Sequence, residues 1–201
     1  FKRALQRRDL FRLFPLLVGA AQYGLPNSLI SKGWLVIGEE RAKQKEYLGA
    51  ILAFNTARIK RLYDKKVVEK LFQSFNAFYE LLQRRFSRED LVLFQETIER
   101  LVHFYKIKVK TYPKLADIAA FGDDLLHRIK KHVETAPSKD KTQATSTVKQ
   151  ISAALYSEMT SEELRTEFAK IVTPLIRKEY TKLTEASGGG GKKGGGKDKD
   201  E

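Results

Sequence analysis

Three histidines, His103, His127 and His132, are the first residues in this sequence to test for chemistry. His127 and His132 stand five apart, which puts them on different faces of a helix. A metal-binding pair wants a spacing of three or four, with carboxylates nearby. His103 lies beside Phe104 and Tyr105 and reads as a helix-flank residue. The carboxylate pairs Glu39-Glu40, Asp123-Asp124 and Glu162-Glu163 are each adjacent, so their side chains diverge around a helix. Glu162 and Glu163 fall in a first helical turn, where the helix dipole favours anions. There is no Walker loop, no G-x-G-x-x-G after a strand, no G-x-S-x-G, and no cysteine. The expectation is a protein that is not an enzyme, with no cofactor, no metal and no small-molecule substrate.

The positive signal is basic. Lys and Arg number 38 against 25 Asp and Glu, giving a formal charge of +13. Lys2, Arg3, Arg7, Arg8 and Arg12 load the first segment, and Arg58, Lys60, Arg61, Lys65, Lys66 and Lys70 crowd one inter-helical region. Smaller clusters follow at Lys106/Lys108/Lys110 and Arg128/Lys130/Lys131. The eleven residues of the first two groups form the candidate membrane- or polyanion-binding set. RNA binding would need aromatics exposed beside these charges. Most aromatics fall on apolar stripes instead, which predicts a place in the core.

The elements that must carry these residues are helices. An apolar fraction of 42% over 201 residues suffices for one core, and no strand pattern or internal repeat appears. Residues 1–14 read as a short amphipathic helix, with Pro15 at its end or in a kink. Gly19, Gly24, Pro26, Gly33 and Gly38 predict broken helices and loops, with Trp34 pinned to the core. Leu48, Ile51, Leu52, Ile59 and Leu62, then Val68, Leu71, Phe75, Phe78 and Leu82, keep a 3–4 spacing. Ser87 and Asp90 frame a capping box, after which Leu91, Phe94, Ile98, Leu101 and Tyr105 continue the rhythm. The tight turn between the two runs predicts antiparallel packing. A helix follows over 114–133, an exposed loop over 136–147, and a short helix over 148–156. A second capping box at Thr160 to Glu163 opens a last helix through Phe168, Ile171 and Val172. The predicted fold is an all-α antiparallel bundle built on a long hairpin, with shorter C-terminal helices. It divides into a basic, Gly/Pro-broken segment (1–38), a helical core domain (39–184) and a disordered Gly/Lys tail (185–201).

From about residue 57 to 172 the order of features resembles the increased-sodium-tolerance (Ist) type of ESCRT-III-related proteins. The segment ARIKRLYDKKVVEKLFQSFNAFYELLQRRF is similar to that family's basic helix and the Tyr/Leu-Leu/Arg-Phe helix end after it. Here that end is Tyr79, Leu81, Leu82, Arg84, Arg85 and Phe86, shifted by one. YPKLADIAAFGDDLLHRIKKHV resembles the family's Pro–x–Leu helix, and VKQISAALYSEMTSEELRTEFAKIV its closing helices. The family's uninterrupted first helix and its C-terminal ATPase-recruiting motifs have no counterpart here. The resemblance implies a basic face meeting acidic membrane or a neighbouring subunit. It also implies a groove at Leu155, Leu164, Phe168 and Ile171 that takes an amphipathic helix of an ESCRT-III-type partner.

Two expectations of function follow. The first is a helical interaction protein, cytoplasmic and peripheral at endosomal membranes, that binds partner helices and an acidic surface. The alternative is a basic helical subunit of a ribonucleoprotein or organellar complex that contacts RNA. The Gly/Lys tail and a presequence-like start, FKRALQRRDLFRLF beginning at Phe1 as in a trimmed product, favour this second placement.

Overall fold

The computed structural model describes residues 1–20, 22–138 and 143–155. The regular elements among them are all helical: α1 (Lys2–Gln6), α2 (Leu10–Val18), α3 (Asn27–Lys43), α4 (Tyr47–Lys60), α5 (Lys65–Leu82), α6 (Arg88–Lys108), α7 (Ala116–Thr135) and α8 (Gln143–Ala154). A single 3-10 turn, Pro113–Leu115, leads into α7. The all-α antiparallel bundle predicted from the apolar spacing is the fold observed.

Helix α4 lies at its centre. Every residue from 49 to 58 is buried, which is the condition of a helix with neighbours on all sides. Its closest backbone neighbour is α3, followed by α5, with α8 also against it. The α3–α4 approach is close because Gly38 faces Phe54. A Cβ there would stand 2.5 Å from the ring. Ser31 Oγ donates to the Ala57 carbonyl across the same interface at 3.0 Å.

The expectation of broken chain up to Gly38 therefore needs correcting: α3 runs unbroken through Gly33 and Gly38. These glycines admit neighbouring side chains instead of ending the helix, Leu17 and Phe1 at Gly33 and Phe54 at Gly38. Trp34 does reach the core, edge-on to Phe14 at 5.5 Å. The single helix expected over 1–14 is two. Arg8 adopts a positive φ of 52°, and Asp9 caps α2 by accepting from the Arg12 amide. Pro15 lies inside α2, not at its end. The bond its missing N–H forfeits is to the carbonyl of Phe11, a residue on the exposed side of the helix.

Between α5 and α6 the space is filled by rings. Phe72 meets Tyr105 at 6.1 Å, while Phe75 and Phe78 meet Phe94 at 6.0 and 5.7 Å. Rising numbers on α5 meet falling numbers on α6, so the pair is the antiparallel hairpin. The turn closes through the capping box. Asp90 N donates to Ser87 Oγ, and Ser87 N donates back to Asp90 Oδ2 at 3.1 Å. Helix α7 covers the ring layer where Gly122 accepts the Phe72 side chain. The loop expected over 136–147 is shorter, because α8 starts at Gln143. The capping box at Thr160 and the helix after it lie outside the described residues.

At Gly122 a Cβ would stand 2.7 Å from Phe72 and 2.9 Å from Val102, both on buried walls. Gly122→Val should lower stability by about 1–3 kcal/mol through overpacking. The check is a urea melt, where the midpoint falls at an unchanged slope.

Candidate functional site

Arg58, placed among the polyanion-binding residues from sequence, is only 7% exposed. Its Nε and Nη2 donate to Asn55 Oδ1 at 3.0 and 2.8 Å, and Nη2 also donates to the Leu155 carbonyl at 3.1 Å. Asn55 Nδ2 in turn donates to the Ala154 carbonyl at 2.6 Å. These carbonyls end α8, where a helix has acceptors without intrahelical donors and a negative dipole end. Arg58 thus clamps α8 onto α4, and its charge is spent inside the protein. That corrects its assignment. Leu155 is corrected with it: expected to line a partner-helix groove, it is buried at 5% beneath the same clamp. Leu164, Phe168 and Ile171 lie outside the described residues.

Tyr105 packs beside Arg58 and donates to the Leu62 carbonyl at 3.0 Å, tying the α4–α5 linker to α6. Burial pushes its hydroxyl up to about 12 against a partial pull downward from the Arg58 charge.

The structure brings Arg8, Lys66 and Lys70 together across a large sequence separation. Arg8 pairs with Glu39 at 2.6 Å and Glu40 at 3.1 Å, and Lys66 pairs with Glu39 at 3.2 Å. Lys43 adds a contact to Glu40 at 2.8 Å. Arg8 and Lys70 line a cleft with Lys43 and Tyr47. Burial alone would raise the Glu39 carboxyl, but the hydrogen bonds and charges of Arg8 and Lys66 outweigh it, so it lies below the usual range. The adjacent glutamates thus anchor the α1–α2 link to α3 and α5.

The remaining predicted residues fall into two places. Lys2, Arg3 and Arg7 are exposed on α1 and its C-terminal cap, and Arg12 is exposed on α2, with its guanidinium 3.5 Å from Asp9. Beside them runs an apolar row that sequence reading did not single out. Phe11, Pro15 and Gly19 are spaced by four, so they line one stripe of α2. The Tyr23 ring lies over Gly19, where a Cβ would be 2.6 Å away. Phe11 is 44% exposed and Tyr23 62%.

Lys60, Arg61 and Lys65 flank the linker between α4 and α5, with Arg61 paired to Asp64 at 3.1 Å and Lys65 to Asp117 at 3.3 Å. Such exposed pairs are weak and leave the cations open to other anions. In the same corner Tyr63 stacks on Tyr112 at 4.0 Å and 15°, and runs parallel to Phe104 at 6.4 Å and 7°. The stack joins the linker to the basic stretch Lys106, Lys108, Lys110 and Lys114. Separate clusters in the sequence are one corner in space.

His132 Nδ1 lies 3.1 Å from the Tyr79 hydroxyl. Asp123 pairs with Lys106, and Asp124 with Arg128. Among the described residues no group of three or more His, Asp or Glu side chains could hold a metal ion, and no helix is long and apolar enough to cross a membrane. No family model, curated protein or solved structure matches the chain.

Two outcomes test these assignments. Arg58→Met should raise amide exchange in α8 well above that in α5, because the clamp is lost while the α5–α6 ring layer stays. Glu39 has a depressed folded value, so its contribution is present above the ordinary 4.5 and disappears as pH falls through the lower folded value. Stability curves of Glu39→Gln and the parent should therefore separate at neutral pH and converge in acid.

Proposed function

We propose that this chain is a non-catalytic helical interaction protein that holds to an acidic membrane surface through α1 and α2 and gathers partner proteins there. The observation that carries this reading is the exposed row of Phe11, Pro15 and Tyr23 beside Lys2, Arg3, Arg7 and Arg12. An interfacial helix binds by sinking apolar side chains at headgroup level while its cations meet anionic lipid. Each cation near such a surface contributes about 1 kcal/mol, so four supply weak adhesion that exposed aromatics reinforce. On the opposite stripe Leu13, Phe14 and Leu17 are buried within the protein, which leaves the row free to face outward.

The resemblance to ESCRT-III regulators supports a peripheral place at endosomal membranes and ESCRT-III-type subunits as partners. With α8 seated at Leu155, a helical partner needs another groove. The cleft lined by Arg8, Glu39, Lys43 and Lys70 with the apolar Ala42, Tyr47 and Phe54 is the place proposed for it. The second reading, a basic subunit of a ribonucleoprotein or organellar complex, draws on the aromatic stack between the two lysine-rich segments.

Co-sedimentation with phosphatidylserine-containing and neutral phosphatidylcholine vesicles tests the first reading. The parent should sediment with the anionic vesicles, and Phe11→Ser/Tyr23→Ser should lose most of that binding while keeping its melting temperature. Equal binding by the double variant would overturn the membrane role of α2.

A further inference from the structure

We propose that the corner joining the α4–α5 linker to the end of α6 is a base-stacking site for single-stranded RNA, an inference that rests on the second reading above. Four observations converge on it. First, the rings of Phe104, Tyr63 and Tyr112 form a parallel column, with the closest pair at 4.0 Å. Second, one end of that column is already closed. Phe104 meets the edge of Tyr105 at 5.0 Å, and Lys108 Nζ lies 5.7 Å from its ring centre. At the other end Tyr112 is half-buried against the core, and no further ring of the described residues stacks on it. A base added there continues the column, and every base has the flat π face that this needs.

Third, the surroundings suit a phosphate backbone. Tyr112 lies two residues from each of the exposed Lys110 and Lys114, and Tyr63 two residues after the exposed Arg61. Fourth, the corner is held in advance of binding. Tyr105 fixes the linker by its bond to the Leu62 carbonyl, and α5 starts directly after it with Asp64 as N-cap. A stack that is half-buried and tied at both sides spends little ordering on a ligand. Its chemistry is stacking plus point charges, which recognises single strands with little sequence preference and no reading of base edges. A duplex hides its base faces and would meet only the cations.

The test uses the full chain and a fluorescein-labelled oligouridine of about ten nucleotides, a length on the scale of single-strand sites, followed by anisotropy. A strand of equal length and charge with abasic sugars runs beside it. The parent should bind the base-bearing strand more tightly than the abasic one. Tyr112→Ala should weaken the base-bearing strand about tenfold, in keeping with one stacked base, and erase the difference between the strands. Tyr112→Trp keeps a stacking ring and should retain the preference, which separates loss of stacking from damage to the fold. Lys110→Glu/Lys114→Glu should weaken both strands and flatten the salt dependence. Equal affinity of the parent for both strands, or full binding by Tyr112→Ala, would overturn the site. The variant Phe11→Ser/Tyr23→Ser should bind RNA like the parent, so loss of vesicle binding and loss of base stacking are read separately.

Discussion

An arginine in the interior is the constraint around which this bundle is arranged. Helix α4 is buried along its whole central stretch, and it carries Arg58 into that burial. A buried cation without partners would cost several kcal/mol. The partners it finds are neutral oxygens, the Asn55 amide and the Leu155 carbonyl at the negative end of α8. The charge therefore holds the end of α8 against α4, and α8 in turn covers α4 and α6 with Val148, Ile151 and Leu155. One side chain connects the central helix, the covering helix and, through Tyr105, the linker that carries Tyr63.

That arrangement sorts the basic residues by task. Arg58 is structural, and Arg8 and Lys66 are held in a network with Glu39 and Glu40 that fastens the N-terminal helices to α3 and α5. Most of the other candidate cations gather in two places, the α1–α2 face with its exposed aromatics and the corner with its ring column. Both have the chemistry of polyanion contact, but by different means. The first offers side chains that can enter a lipid interface, and the second offers flat faces that can extend a stack.

Much of the fold was legible in the sequence because its signals are local. The 3–4 spacing of Val68, Leu71, Phe75 and Phe78, and the Ser87–Asp90 capping box, name α5, the turn and the start of α6 without reference to anything distant. Gly33 and Gly38 misled for the opposite reason. Their role is to admit Leu17, Phe1 and Phe54, neighbours that no local window contains. Arg58 misled in the same way. Among Lys60, Arg61, Lys65 and Lys66 it looks like one more surface cation, and only the seating of α8 shows why it points inward. A signal was available for the N-terminal face, since Phe11 and Pro15 lie four apart and off the Leu13/Phe14/Leu17 stripe. The aromatic column had none, because Tyr63 and Tyr112 stand 49 positions apart and meet only through the fold.

In the proposed function the N-terminal helices, not the basic end of α4, meet an acidic membrane. Hydrogen exchange of the full chain with and without phosphatidylserine-containing vesicles measures this directly. New protection should be confined to residues 2–23, with α4 and α8 unchanged. Protection over residues 58–70 with residues 2–23 unaffected would contradict it.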